Sequence, residues 1–128
     1  MVKLVKNIFV YGTLKKGKRN HKYFKDSIIS VREGYIHASL YHLVDYDCPT
    51  ILEGNDKIYG QFLEYNDPTD EIEKEIDYLE GNFGDNQELI YSKEKVKVYF
   101  ENSNEISQVY MLQNHHNLKK IKLKNKWK

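Results

Sequence analysis

Ile8-Phe9-Val10-Tyr11-Gly12-Thr13-Leu14-Lys15-Lys16-Gly17 is an apolar run that breaks at a glycine and ends in a basic turn. Leu4 to Val10 are apolar and β-branched enough to predict a first strand, after which Gly12 turns the chain. A residue without a Cβ brings its backbone N–H groups close to a ligand in conformations that other residues avoid. Thr13 and Leu14 add two more N–H donors, and donors gathered in a turn favour an anion or a developing oxyanion. The same four residues also spell an ordinary strand and turn, so the segment takes its meaning from what lies downstream.

Asn20 is placed to cap a short helix running through Phe24. Two longer strands are predicted, Ile28 to Leu43 with a bend or bulge at Gly34, and Ile58 to Tyr65, with a turn-rich stretch from Asp45 to Asp56 between them. Asp67-Pro68-Thr69-Asp70 opens the clearest helix, with Pro68 near the first turn and Asp70, Glu71 and Glu73 at the positive end of its dipole. Ile72, Ile76 and Leu79 share one face at the spacing of an amphipathic helix, which Gly81 ends. Tyr91 to Phe100 and Ile106 to Leu112 read as two late strands joined around Asn102-Ser103-Asn104-Glu105. From Lys120 to Lys128 every second residue is lysine, the period of an edge strand or extended tail with Ile121, Leu123 and Trp127 on one side. The element order predicts an α+β architecture and not a regular βαβ repeat.

With 128 residues the chain suits one domain, 1–128, with no internal boundary. Hydrophobic residues at 40% and charged residues at 30% are ordinary globular values, which argues against disorder of the whole chain. Net charge is +1, but residues 119–128 hold six lysines and no acid, leaving 14 basic against 19 acidic side chains in the first 118. A basic C-terminal tail at about 119–128 is therefore expected, read as a solvated face; nucleic acid is not an expected partner. Cys48 is the sole cysteine, which excludes an intramolecular disulfide and a multi-cysteine zinc site and fits a reducing compartment. Lysines interrupt the first apolar residues, and no run approaches the ~20 apolar residues that span a bilayer. A soluble, cytoplasmic protein without a membrane partner is the expectation. The histidines at 21, 37, 42, 115 and 116 show no metal-ligand spacing, so no metal site is expected. Neither a Gly-x-Ser-x-Gly elbow nor a phosphate-binding glycine loop is present.

Glu80 is the most informative acid. It lies four residues after Ile76 and beside Leu79, near the buried stripe at the predicted helix C-terminus. The carbonyl end of a helix and partial burial both favour the protonated carboxyl, which suits a group that exchanges protons near neutral pH. Position alone favours a partly exposed last-turn glutamate that meets a backbone amide or a lysine.

Phe9 to Gly17, with Asn20-His21 after it, resembles the N-terminal signature of the γ-glutamylcyclotransferase-like family, within it the γ-glutamylamine cyclotransferase, AIG2-like branch. Ile76-Asp77-Tyr78-Leu79-Glu80-Gly81 resembles that family's Leu-Asp-x-x-Glu-Gly motif, whose glutamate is catalytic. Looser matches are Gly60-Gln61-Phe62-Leu63 to a Gly-Glu-Val-Tyr strand, Tyr91-Ser92-Lys93 to Tyr-x-Arg, and Val109-Tyr110 to a late strand carrying a tyrosine. The resemblance implies a small mixed β-barrel-like sheet with a few flanking helices. It also implies cyclisation of a γ-glutamyl amine or γ-glutamyl amino acid to 5-oxoproline, with release of the free amine and with no metal or cofactor. Glu80 would be the general acid/base, and Tyr11, Gly12, Thr13, Leu14, Tyr91 and Tyr110 would bind a small γ-glutamyl substrate, in a monomer or homodimer. Lys93 departs from the arginine of many members and does not reproduce a bidentate fork. A catalytically silent module of the same fold, binding a small carboxylated metabolite or serving interaction, is the alternative.

Overall fold

The computed structural model describes residues 5–11, 25–44, 48–77, 91–113 and 118–124. The elements are β1 (Val5–Val10), β2 (Ile28–Leu43), β3 (Cys48–Asn66), α1 (Glu71–Ile76), β4 (Tyr91–Tyr99), β5 (Asn104–Leu112) and β6 (Lys120–Leu123). The sheet order is β1-β3-β2-β4-β5, with β6 on the far end of β2, and every described ladder is antiparallel. Directions alternate along the five strands, so the first and last run the same way. β1 and β5 also lie close to one another, and the Tyr11 hydroxyl donates to the Tyr110 carbonyl oxygen at 2.9 Å across that seam. The sheet thus curls towards closure with parallel strands at the seam, a mixed, barrel-like arrangement.

β1 explains its own apolar run. Phe9 and Tyr11 join Ile36, Ala38, Leu40, Ile51, Ile58, Phe62, Val98 and Val109 in one core cluster. Ile8 and Val10 turn to the opposite face, where Leu63, Tyr65, Ile76 and Tyr110 form a second cluster. A strand covered on both faces reads as continuous apolar sequence. Gly60, in the strand beneath, has no room for a side chain: a Cβ there would lie 2.4 Å from the Val10 carbonyl oxygen and 2.6 Å from the Phe9 ring.

The predicted strand from Ile28 to Leu43 is observed with those bounds, but Gly34 is not its bulge. Gly34 pairs in register with Gly60, and the ladder slips between Ile28 and Ser30 and between Ala38 and Ser39. What needs the glycine is β4, whose Tyr99 carbonyl oxygen would lie 2.9 Å from a Cβ at that position. The stretch expected to be turn-rich is also corrected. Cys48 opens β3 opposite Leu43, and Cys48 to Leu52 pair with β2, because Thr50 and Ile51 supply fully buried side chains that outweigh the turn formers around them. β5 starts at Asn104, two residues earlier than predicted, where the Phe100 N–H bonds the Ser103 carbonyl at 2.9 Å to close the loop. Part of the predicted basic tail is a strand: β6 pairs with Leu40 to Leu43, and Lys122 lies 3.4 Å from Asp56. The helix predicted after Asn20 and the helix end predicted at Gly81 lie outside the described residues.

α1 is capped from a distance. Asp70 holds the N-cap position in the left-handed region at φ 65° and makes no side-chain cap bond. Asp67 does that work: its Oδ1 accepts the Ile72 N–H at 3.0 Å and its Oδ2 the Glu73 N–H at 2.9 Å, satisfying two otherwise orphaned helix donors. Ile76 and half-buried Ile72 seat the helix on the second core cluster.

Candidate active site

The end of β1, the middle of β5 and the end of α1 are tied by one chain of contacts. The Tyr11 hydroxyl reaches the backbone of Tyr110, and the Tyr110 hydroxyl donates in turn to the carboxylate of Asp77, immediately after α1. Lys93, on the neighbouring strand β4, lies 3.1 Å from the same Asp77 oxygen and donates to Glu73 at 2.6 Å. The two tyrosines are buried at 6% exposure each, and the bond from the Tyr11 hydroxyl to the Tyr110 carbonyl oxygen is buried with them.

The charge network continues along α1. Lys6 from β1 lies 3.0 Å from Glu73 and 3.1 Å from Asp67, and also meets Asp70. Lys93 foremost, then Lys6, holds the Glu73 carboxyl below its ordinary value. Burial opposes the charge on Asp67, but the Glu73 and Ile72 N–H groups and Lys6 outweigh it and lower its pKa. Burial likewise opposes the charge on Lys93, and Glu73 and Asp77 outweigh it, so its pKa is raised. Asp70 is the largest cause of the raised pKa of Lys6. Asp67, Asp70 and Glu73 are the one carboxylate group among the described residues drawn close enough to grip a cation, and the Lys6 ammonium contacts all three.

Beside this braced region lies an open-sided cavity of about 1060 Å³. The β2–β4 ladder consists of the single pair Tyr35 and Tyr99. Beyond it, Ile36 to Ala38 and Glu94 to Val96 line the cavity from two sides. Its apolar lining includes Ile36, Ala38 and Ile51, which share a core cluster with the Tyr11 ring. Met111, Leu112 and Gln113, following Tyr110 in sequence, complete another wall.

Of the residues predicted from sequence, Tyr11 and Tyr110 are brought together. Tyr91 opens β4 opposite Leu112, its side chain lying outside the described residues, as do Gly12, Thr13, Leu14 and Glu80. Asp77 and Lys6 are not among the residues predicted from sequence, and Glu73 is read there only as a first-turn acid of the helix. Asp77 carries a signal, since it sits inside the Ile76–Gly81 motif; the pairing of Lys6 with Glu73 carries none, because only the fold brings β1 onto α1.

The family described as Gamma-glutamyl cyclotransferase, AIG2-like, matches residues 8–128. A Gamma-L-glutamyl-butirosin B gamma-glutamyl cyclotransferase of Niallia circulans is 38% identical over 78 residues, 61% of this chain and 47% of that protein. The chain thus spans about half the length of that curated relative. The crystal structure of YkqA from Bacillus subtilis is similar with a TM-score of 0.62 at 26% identity, covering 92% of this chain and 38% of that one. An AIG2-like protein from Mus musculus shares the fold with a TM-score of 0.59 at 20% identity, covering 85% and 78% of the two chains.

Proposed function

Because the chain belongs to the AIG2-like γ-glutamyl cyclotransferase family, we propose that it cyclises a γ-glutamyl amine or γ-glutamyl amino acid to 5-oxoproline and releases the free amine. The observation that carries this reading is the Tyr11–Tyr110–Asp77 chain of hydrogen bonds. It ties together the described ends of the two segments that bear the family's motifs. Gly12 follows Tyr11 directly, and Glu80 is three residues from Asp77, at most about 11 Å along an extended chain.

In the proposed reaction the substrate's α-amine attacks its own γ-carbonyl carbon, the new C–N bond closes the five-membered ring, and the bond to the leaving amine breaks. The α-ammonium must lose one proton to become the nucleophile, the ring nitrogen must lose a second once the C–N bond has formed, and the departing nitrogen must gain one to leave as the free amine. The first proton passes to solvent, and Glu80 takes the second from the ring nitrogen and delivers it to the departing nitrogen, so the carboxylate is regenerated each turnover. The N–H groups of Gly12, Thr13 and Leu14 steady a carboxylate or the developing oxyanion. Tyr11, Tyr91 and Tyr110 shape the pocket; the hydroxyl protons of Tyr11 and Tyr110 serve the brace. Holding the folded-back conformer supplies much of the acceleration, since effective molarities of well-oriented neighbouring groups reach ~10⁵ to 10⁸ M.

The test is 5-oxoproline release, read by mass spectrometry, from γ-glutamyl amino acids, γ-glutamyl amines and glutathione, with wild type beside Glu80→Gln. Release by wild type and its loss by a factor of about 10² or more in the variant is expected. A folded wild type that releases none from any donor favours the silent binding module, and equal release by both proteins removes Glu80 from the mechanism.

A further inference from the structure

The outer face of the sheet is apolar and packed with α1 at one end, where Val31 and Leu63 pair and join the second core cluster. Further along the same strands it carries aromatic rings in the open. Tyr35 pairs with Tyr59 of β3 on one side and with Tyr99 of β4 on the other, so three tyrosines form one row across three strands. Ile36, Ile58 and Val98, each beside one of them in sequence, are fully buried; side chains alternate between the two faces of a strand, so the tyrosines point outward. The rings brace one another. Tyr35 stacks on Tyr99 with centroids 5.3 Å apart and meets Tyr59 edge-on at 5.8 Å, and His37 meets both Tyr35 and Tyr99 edge-on. Tyr59 is 43% exposed, too much for a ring whose role ends at this contact.

The row is edged with positive charge. Lys57, which pairs with His37, sets its ammonium 4.9 Å from the centre of the Tyr35 ring. Lys97, two residues before Tyr99 and so on the same face, is exposed opposite Ile106. Glu33 is the acid of the adjoining row, and its carboxylate accepts the Gln61 amide at 3.1 Å. A second copy of the chain docked about a two-fold axis on this patch would bring its lysines towards their own images, a like-charge contact. The complementary partner has flat π faces and regularly spaced negative charges. We propose that the Tyr35–Tyr59–Tyr99 face binds single-stranded nucleic acid without sequence preference, its bases stacking on the tyrosines and its phosphates meeting Lys57 and Lys97. A duplex offers the phosphates but keeps its bases stacked on each other. The site is separate from the Tyr11–Tyr110–Asp77 brace and does not depend on the cyclotransferase reading.

The experiment titrates the whole chain into a fluorescein-labelled oligothymidylate of about twelve nucleotides and follows anisotropy from about 50 to about 200 mM salt, beside a blunt duplex of the same length. Wild type is expected to bind the single strand with Kd of ~10⁻⁶ to 10⁻⁴ M and to prefer it to the duplex. Tyr59→Leu, which keeps apolar bulk and removes the ring, is expected to weaken single-strand binding about fivefold or more and to bring the preference towards one. Lys57→Gln/Lys97→Gln is expected to flatten the slope of log Kd against log salt by about 1.4, two phosphate contacts at ~0.7 each. An unchanged Tm in each variant shows that the fold is kept. Absence of binding at the lowest salt, equal affinity for duplex and single strand, or affinity untouched by both variants overturns the proposal. So does binding of phosphatidylserine vesicles in place of the oligonucleotide, or a dimer in sedimentation that Tyr59→Leu dissolves, since each gives the face to another partner.

Discussion

Asp77 is where the brace is most easily broken, since it receives both the Tyr110 hydroxyl and the Lys93 ammonium. Asp77→Asn keeps the shape and removes the charge. In the proposed mechanism it is a positioning residue for Glu80, so kcat is expected to fall on the order of tenfold to a hundredfold with little change in KM. Tyr110→Phe is expected to act in the same direction, and the double variant to lose little more than the worse single one. Independent, additive losses would separate Asp77 from the tyrosine brace. Tyr11 and Tyr110 were legible in the sequence because each sits in a recognisable strand motif. Their partners were not, since the contact of Tyr110 with Asp77 depends on how α1 lies across β5. Lys93 is the instructive case: read as a weakened stand-in for arginine, it bridges Glu73 and Asp77 as a point charge, a geometry that needs no fork.

At the scale of elements, α1 is short and depends on its remote cap and on ions at both ends. Asp67 and Glu73 have pKa values lowered from ordinary values of 3.8 and 4.5. Their contribution to stability is therefore present above those values and lost as pH falls through the lowered ones. Lys6 and Lys93 are raised from 10.5, so their contribution holds up to that pH and is lost above it. Urea unfolding at neutral pH is expected to show Asp67→Ala destabilised by about 1–2 kcal/mol, Asp70→Ala by less, and a shallower acid decline for Asp67→Ala than for wild type. Equal losses at the two aspartates would contradict the cap assignment. Pattern predicted α1 at Asp67-Pro68-Thr69-Asp70 but gave the cap no owner, because both aspartates stand at plausible distances. The bounds of β2 followed from its apolar pattern. The start of β3 did not, since Gly54 and Asn55 spell a turn in sequence and form a bulge once Ser39 packs against Gly54.

For the whole molecule, five alternating strands bring β1 and β5 together in parallel, and the end of β5, at Met111 and Leu112, lines the cavity. That closure gathers residues separated by up to 99 positions into one brace, which no local pattern reveals, whereas the family motifs name the segments in advance. In the proposed reaction the γ-glutamyl carbonyl is attacked from within the substrate and not by water. The most direct test is to run the reaction in ¹⁸O-enriched water with an active γ-glutamyl donor and to analyse the products by mass spectrometry. Unlabelled 5-oxoproline, equimolar with the released amine and without free glutamate, is the predicted result; glutamate carrying ¹⁸O in its γ-carboxylate would show hydrolysis and contradict it.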